Sequence, residues 1–161
     1  MKRKEYEITD IVEIESIISS ADVCRIAMSD GINPYIVTLN FGYTGSSGRC
    51  FYFHCATEGK KLEMIRKNNH VCFELDTSHE VYEGEMACDF GMGYRSVVGW
   101  GNIVIINDDD DKKKGLDVIM HHYSERPGFD YRKKSLDRML VLRLDITEMT
   151  GKGNIPRREH F

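Results

Sequence analysis

The stretch FYFHCATEGKK, Phe51 to Lys61, combines an apolar strand, a short polar turn and the start of a helix that opens with two lysines. Such a start is unusual, because unpaired N–H groups give the first helical turn a partial positive charge that favours Asp and Glu. Lys60 and Lys61 therefore predict a bound anion such as phosphate, held by their amines, the Gly59 backbone and free amides of the helix start. The alternative is a basic surface turn in which Lys61 pairs with a nearby acid.

The residues before this stretch predict one helix and two strands. Asp10 followed by Glu13 is a helix-capping signature, and the isoleucines at 11, 14, 17 and 18 fall on one helical face that we expect in the core. Residues 24–28 and 35–41 alternate apolar and polar side chains as strands do. Together with the strand at 50–54, they predict a three-stranded meander.

Three further strands are predicted after the lysines, at 71–75, 97–106 and 140–146. The second of them is interrupted by Gly99 and Gly101, which predict a bulge or the close approach of another group. Several short strands with only a few helices favour an antiparallel barrel over a parallel doubly wound sheet. The fold class expected is therefore mainly β, with peripheral helices.

The remaining segments carry fewer signals. The four aspartates at 108–111 predict the start of a helix, whose charges we expect to be solvated. We expect an irregular loop over 77–93. Trp100, the only tryptophan, can stack near a ligand or fill the core, and we place it in the core.

Length and charge restrict the class of protein. The 161 residues predict a single domain, 1–161, with flexible ends at 1–7 and 153–161. A net charge of −4 and a pI near 5.9 argue against a nucleic-acid partner, so any anion site is local. No apolar run approaches the roughly 20 residues of a membrane span, and the polar start MKRKEYEITD has no signal-peptide core. We expect a cytoplasmic protein without a membrane partner.

The cysteines indicate a reducing compartment. Their number, five, is odd, and no CxxC pair occurs. Cys24 and Cys72 stand inside strand-like runs, where a free cysteine usually behaves as a small buried apolar residue. The alternative is a zinc site, but the spacing matches no paired-ligand signature. Its candidate ligands would be Cys50, His54, Cys55 and one of His121 and His122.

Several blocks of the chain resemble, in order, the pyridoxamine 5'-phosphate oxidase-like flavoproteins, in particular the branch named for nitroimidazole resistance (Nim) proteins. FYFHCATEGKK is similar to the FHxAxxGxK block of that branch. The resemblance covers nearly the whole chain, and its strength lies in the order and spacing of weak motifs. The other matching blocks are ADVCRIAMSDG (21–31), PYIVTLNFGY (34–43), NNHVCFELD (68–76), YRSVVGWGN (94–102) and LRLDITEMTGK (142–152).

This resemblance implies a six-stranded antiparallel split β-barrel that forms a homodimer and binds flavin mononucleotide (FMN) at the subunit interface. Lys60 and Lys61 match the basic pair that holds the flavin phosphate. Two further segments match cofactor-contacting positions: the strand whose backbone lies along the isoalloxazine ring, Val37, Thr38, Leu39 and Asn40, and the flavin-contacting segment Arg95, Ser96 and Val97. Ser96 stands where the oxidases have a longer Gln. For Arg95 the alternative is a surface salt bridge.

His54 is the predicted catalytic residue, because the resemblance places the His of this block beside the flavin. A histidine there can donate a proton as electrons leave the reduced cofactor. The alternative is a structural His that bonds a backbone carbonyl.

The resemblance thus implies an FMN-dependent oxidoreductase that passes electrons from a donor such as NAD(P)H to a small electrophile such as a nitro-aromatic compound. A second hypothesis is a flavin- or haem-binding protein without turnover, serving storage, sensing or cofactor transfer. In that case His54, His121 or His122 would be the axial ligand of a haem.

Overall fold

The computed structural model describes residues 4–45 and 48–154 of the chain. Its helices are α1 (Ile11–Ser20), α2 (Lys60–Lys67), α3 (Asp109–Tyr123) and α4 (Lys133–Leu136), with 3-10 turns at Lys4–Tyr6 and Ala87–Asp89. Its strands are β1 (Glu7–Ile8), β2 (Cys24–Ser29), β3 (Pro34–Leu39), β4 (Gly42–Thr44), β5 (Cys50–Ala56), β6 (His70–Tyr82), β7 (Gly91–Ile106) and β8 (Met139–Asn154).

All the strand pairs are antiparallel, and the sheet has the order β3-β2-β6-β7-β8-β5-β4, with β1 paired to β8. The six strands of six or more residues correspond to the predicted six, and β1 and β4 are short additions. The mainly β class with peripheral helices is therefore confirmed. Among the helices of the described residues, none has the length and apolar character needed to cross a membrane.

The predicted three-stranded meander is wrong, because β5 pairs with β8 and β4 instead of β3. The chain leaves the sheet after β3 at Phe41, whose ring is buried and whose N–H donates to the Tyr123 hydroxyl at 3.0 Å. Gly42 then lies directly on the backbone of α3, since a Cβ there would be 2.4 Å from the carbonyl carbon of Val118. These contacts carry the chain to the opposite end of the sheet before β5 begins.

The interior is lined by the first helix and by alternating residues of the strands. The Asp10 carboxylate caps α1 by accepting from the Val12 N–H at 2.9 Å, and Ile14, Ile17 and Ile18 are buried as predicted. The Phe51 ring lies at the centre of an aromatic cluster with the buried phenylalanines Phe41, Phe53 and Phe73.

The bulge predicted from Gly99 and Gly101 is confirmed, because the β7–β8 register shifts between Trp100 and Gly101. A Cβ on either glycine would lie within 2.4 Å of a β8 carbonyl oxygen, so only glycine fits this close approach. The expectation that Trp100 lies in the core is wrong, since the residue is 38% exposed. Val97, Gly99, Gly101 and Ile103 face inward, and strand alternation directs Trp100 outward.

β6 and β7 extend into residues 77–93, so the irregular loop is shorter than expected: it covers 83–90 and contains the 3-10 turn Ala87–Asp89. Glu80, Val81 and Tyr82 pair with Gly93, Met92 and Gly91. Of the ends expected to be flexible, residues 4–7 form a 3-10 turn and part of β1, and 153–154 end β8. Residues 1–3 and 155–161 lie outside the described part of the chain, as do 46 and 47.

Candidate cofactor site

The first turn of α2 has backbone amides that are available to a ligand. Gly59 caps this helix with φ 127° and ψ 165° and supplies no side-chain cap. Its carbonyl accepts from the amides of Leu62 at 3.0 Å and Glu63 at 3.2 Å. Within residues 4–45 and 48–154, the amides of Lys60 and Lys61 have no hydrogen-bond partner. Two donors therefore remain at the positive end of the helix dipole.

The two lysine side chains add positive charge at the same place. The Lys60 ammonium lies 4.8 Å from the centroid of the Tyr35 ring, a cation–π contact with the start of β3. Neither Lys60 nor Lys61 forms an ion pair with any described residue, so the alternative of an acid partner for Lys61 is not found there. Two adjacent cations without a counter-charge favour an external anion.

Cys55, at the end of β5, is close to these lysines. Burial raises the pKa of the Cys55 thiol, and the positive charge of Lys61 opposes that rise. Because successive strand residues face opposite sides, His54 projects away from Cys55, on the side that carries Cys50 and Tyr52. His54 is exposed and, among the described residues, makes no hydrogen bond or ion pair. The predicted alternative, a structural bond to a carbonyl, is therefore not seen in this part of the chain.

β3 offers an exposed strand edge beside α2. It pairs with β2 alone among the described strands, so the backbone N–H and C=O groups on its other edge have no strand partner. Val37 and Leu39 are half-buried against the core, and Thr38 and Asn40 are exposed. Val37, Thr38 and Leu39 thus lie on one accessible edge, and Asn40 directly follows it.

The predicted segment Arg95–Val97 lies elsewhere in the same chain. It belongs to β7, which is separated from β3 by β2 and β6, a distance of about 14 Å across three strand spacings. Arg95 forms an ion pair with Glu13 of α1 at 3.6 Å, as the salt-bridge alternative requires. Ser96 is half-buried, and Val97 is fully buried, so the Val97 side chain cannot contact a ligand.

An ion network occupies the surface between the two groups of predicted residues. The Arg25 guanidinium lies 3.0 Å from Glu74 and 2.5 Å from Asp76, and these bonds raise the pKa of Arg25. His79 lies 3.1 Å from Asp76. Sequence reasoning missed this network and the contact of Tyr35 with Lys60. No spacing signal joins Arg25 to Glu74 and Asp76, or Tyr35 to Lys60, because these partners come from elements distant in sequence.

The other predicted metal and haem ligands do not converge. Among residues 4–45 and 48–154, no three His, Cys, Asp or Glu side chains are placed to hold one metal ion. His121 and His122 line a cavity of about 450 Å³ between α1, β4 and α3. One ring nitrogen of each already bonds a carbonyl, that of Asp117 at 2.7 Å and that of Ala21 at 2.8 Å.

The chain is similar to proteins of known structure over most of its length. The sequence profile of a family described as Pyridoxamine 5'-phosphate oxidase matches residues 10–153. The crystal structure of a candidate 5-nitroimidazole antibiotic resistance protein from Bacteroides thetaiotaomicron is 34% identical in sequence. The match covers 91% of this chain and 86% of that one, with a TM-score of 0.80. Among curated proteins, no significant match is found.

Two more distant structures share the fold. The FAD and haem binding protein from Mycobacterium smegmatis is 18% identical, with a TM-score of 0.81 over 92% of this chain and 73% of that one. The flavocytochrome Anf3 from Azotobacter vinelandii is 16% identical, with a TM-score of 0.80 over 96% and 72%. At these identities the likeness concerns the fold alone. The resemblance inferred from the ordered blocks, and the split-barrel class it implies, are confirmed.

Proposed function

This chain belongs to the pyridoxamine 5'-phosphate oxidase family, and we propose that it is an FMN-dependent oxidoreductase acting on a small electrophile such as a nitro-aromatic compound. The observation that carries the proposal is the start of α2. There, two lysines without an acid partner among the described residues accompany two unpaired amides beside an open strand edge. This is a combination that suits a ligand with a phosphate at one end and a flat polar ring at the other.

The phosphate would be bound by the ammonium groups of Lys60 and Lys61 and by the amides of the first turn. Cations in this turn oppose the helix dipole by roughly 0.3–1 kcal/mol each, and a bound dianion reverses that effect. A lysine serves here as a point charge. The donor set therefore fits a phosphate monoester such as that of FMN.

The flavin ring would lie along the free edge of β3. The backbone groups of Val37, Thr38, Leu39 and Asn40 that point away from β2 can bond the polar edge of the ring, and such contacts tolerate varied side chains. The same groups would otherwise remain open to association with another strand. A bound cofactor would cover part of that edge.

A homodimer would complete this site. Arg95 and Ser96 are separated from β3 by three strand spacings, about 14 Å, so they do not join the lysines and β3 within one chain. A two-fold axis can bring this segment of one copy beside β3 of the other, which creates two equivalent sites in the dimer. We therefore propose that FMN binds at the interface of two copies.

Held at this site, FMN would supply the hydride- and electron-transfer chemistry between a donor such as NAD(P)H and the substrate. For a nitro-aromatic substrate the balanced reaction consumes one NADH and one proton, reduces the nitro group to nitroso, and releases NAD⁺ and water. Following the family resemblance, we propose that His54, whose side chain leaves β5 on the side opposite Cys55, donates a proton to the nitro oxygen that leaves as water.

Reconstitution with FMN followed by desalting tests the proposal. We expect the wild-type protein to retain FMN and the double variant Lys60→Gln, Lys61→Gln to bind it at least about tenfold more weakly, because two charge-assisted contacts are lost. The matched control is Lys113→Gln, Lys114→Gln, an adjacent pair in α3 that is already paired with Asp110 and Asp111. A wild-type protein that does not retain FMN would contradict the proposal, as would equal losses in the two double variants.

The same preparation tests turnover. His54→Ala should retain FMN but reduce a nitro-aromatic compound with NADH about 100-fold more slowly, the lower range for loss of a general acid. His70→Ala, an exposed histidine of β6 that contacts Asn102, is the control and should have the wild-type rate. Equal rates in His54→Ala and wild type would remove His54 from the mechanism.

The second candidate is a flavin- or haem-binding protein without turnover. The observation that favours it is the cavity between α1 and α3, where His121 and His122 each have a second ring nitrogen beyond the carbonyl bond described above. The absorption spectrum of the purified protein distinguishes the two functions. A Soret band that disappears in His121→Ala or His122→Ala would favour haem, and a flavin spectrum in both variants would favour FMN.

A further inference from the structure

Residues 77–93 are here called the arm; they are the ends of β6 and β7 with the connection between them. Side-chain contacts hold the arm in place. Asn154 of β8 donates to the Met92 carbonyl at 3.0 Å and to the Tyr82 hydroxyl at 3.4 Å. Tyr82 packs directly over Gly91, where no Cβ would fit. At the tip, the Asp89 N–H donates to the Met86 carbonyl at 2.9 Å, and the Met86 N–H donates to the Asp89 carboxylate at 3.2 Å. The arm is thus bonded to the end of β8, and two hydrogen bonds between Met86 and Asp89 fix its tip.

The arm exposes apolar side chains and carries negative charge. Val81 (61% exposed) and Met92 (47%) are paired across the arm and share one of its faces, and Met86 (65%) and Phe90 (50%) are exposed at its tip. Residues 77–93 also contain four carboxylates and no Lys or Arg. Of these, Glu83, Glu85 and Asp89 form no ion pair with a described residue. Exposed apolar patches of this kind commonly mark an interaction site.

A complementary surface lies at the opposite end of the molecule, here called the basic end, formed by α2, the turn 29–33 and β3. Its apolar residues are Ile32, 86% exposed, and Ile36, 63% exposed. The Asn68 side chain at the end of α2 donates to the Ser29 carbonyl at 3.2 Å and joins the helix to the turn. None of the four cations of α2 forms an ion pair with a described residue: Lys60, Lys61, Arg66 and Lys67.

The arm cannot reach the basic end of its own chain. Cys72 of β6 pairs with Ala27, close to the turn that follows β2, whereas Tyr82 in the arm lies ten residues further along the same strand. At about 3.3 Å per residue, the two surfaces are roughly 30 Å apart. The apolar residues and the charges of the two surfaces are complementary, and a second copy is the partner that carries both.

We propose that the arm of one copy docks on the basic end of a second copy, so that each cofactor site is covered by the arm of the partner. The inference rests on the homodimer of the proposed function and adds which surfaces meet. The contact is reciprocal in a two-fold dimer, since each copy contributes one arm and one basic end. Val81, Phe90 and Met92 would pack near Ile32 and Ile36, while the carboxylates of the arm approach Arg66 and Lys67.

Disulfide crosslinking tests this docking, because the arm carries a natural probe. Cys88 is an exposed free thiol near the tip. We expect the variants Ile32→Cys and Ile36→Cys to give, after mild oxidation, a covalent dimer on a non-reducing gel in at least one case. The control Val12→Cys places an equally exposed thiol on α1, where no crosslink is expected. Adding Cys88→Ser should abolish the crosslink.

Charge reversal supplies a second readout in solution. Glu83→Lys with Glu85→Lys should weaken the dimer about tenfold or more by light scattering across a dilution series, and adding Arg66→Glu with Lys67→Glu should restore it. Crosslinking equal to that of Val12→Cys, or a dimer unaffected by charge reversal, would overturn the docking. A monomeric wild-type protein would overturn it as well. None of these readouts requires flavin, so a chain that binds no FMN yet crosslinks through Cys88 would contradict the proposed function and leave the docking supported.

Discussion

Phe51 and Lys60, only nine residues apart, lie in two very different environments. The Phe51 ring is fully buried and contacts Phe41, Phe53 and Phe73 at centroid distances of 5.5, 6.1 and 4.9 Å. Lys60 has one ring contact and no counter-ion among the described residues. The strand residues of FYFHCATEGKK therefore find their packing partners within the chain. The lysines at the start of the helix lack a counter-charge in the described part of the chain and need a bound anion to supply it.

This difference separates the residues that fold the protein from those that bind a ligand. Free energy of unfolding comes mainly from buried apolar contacts. Uncompensated cations and open backbone groups contribute little to it, or reduce it slightly. Substitutions on the two sides of the same segment should consequently affect different measurements.

The largest expected effect is on the interior. Phe51→Ala should lower the free energy of unfolding by about 3–5 kcal/mol, since it removes the central ring of a packed cluster. Urea denaturation measures this loss, which is a large part of the roughly 5–15 kcal/mol of a typical domain. Phe129→Ala is the control, because that ring is only half-buried, against His121 and Arg126 and outside the core cluster, and it should cost clearly less, about 1 kcal/mol. Similar losses in the two variants would mean that the aromatic cluster does not hold the fold.

A smaller effect is expected at the junction of strand and helix. Gly59 has φ 127° and ψ 165°, a region that side chains rarely adopt, although no atom lies within 4 Å of a Cβ built there. Gly59→Ala should therefore destabilise the protein by about 1–3 kcal/mol through backbone strain alone. The same change should weaken FMN binding, because the amides of the first turn are aimed by this conformation.

Gly128→Ala provides the matched control for that substitution. A Cβ at Gly128 also meets no atom within 4 Å, but its φ lies outside the positive region. Alanine there should leave the stability unchanged or raise it by a few tenths of a kcal/mol. If both alanine variants were equally stable, strain at Gly59 would not be part of the site.

The regular elements could be predicted from sequence because their signals are local. Asp10 identified the start of α1, alternation identified the long strands, and Gly99 and Gly101 identified the bulge. The partner of β5 could not be predicted, because pairing depends on contacts distant in sequence, such as Tyr123 with Phe41. The course of residues 77–93 was missed for the same reason, since Asn154 fixes it from the other end of the chain.

The candidate site was predictable only where one short segment forms it. Lys60 and Lys61 deviate from the charge preference of a helix start, and that local exception is visible in the sequence. The contact with Tyr35 and the proximity of Cys55 required the fold. The position of Arg95 and Ser96, three strands from β3, likewise follows from strand order, which no sequence spacing reports.

The smallest expected effect concerns Cys55, the residue at the boundary between the buried and the open side. Burial raises the pKa of its thiol and Lys61 lowers it, so replacing Lys61 by Gln should raise this pKa further. At a pH below the pKa, the thiolate fraction falls as the pKa rises. Alkylation of Cys55, followed by peptide mass spectrometry, should then slow by about two- to five-fold, as expected for loss of an interaction below about 1 kcal/mol.

The pH dependence of Cys55 alkylation tests the direction of this pKa change. The alkylation curve of Cys55 should move to higher pH in Lys61→Gln, while Lys113→Gln with Lys114→Gln leaves it in place and Cys88 reacts equally in all three proteins. A ligand phosphate that neutralises Lys61 should move the wild-type curve in the same direction, because the thiolate then loses its stabilising cation. A curve that FMN leaves in place would put the anion away from Lys61, and the first turn of α2 would no longer be the phosphate site.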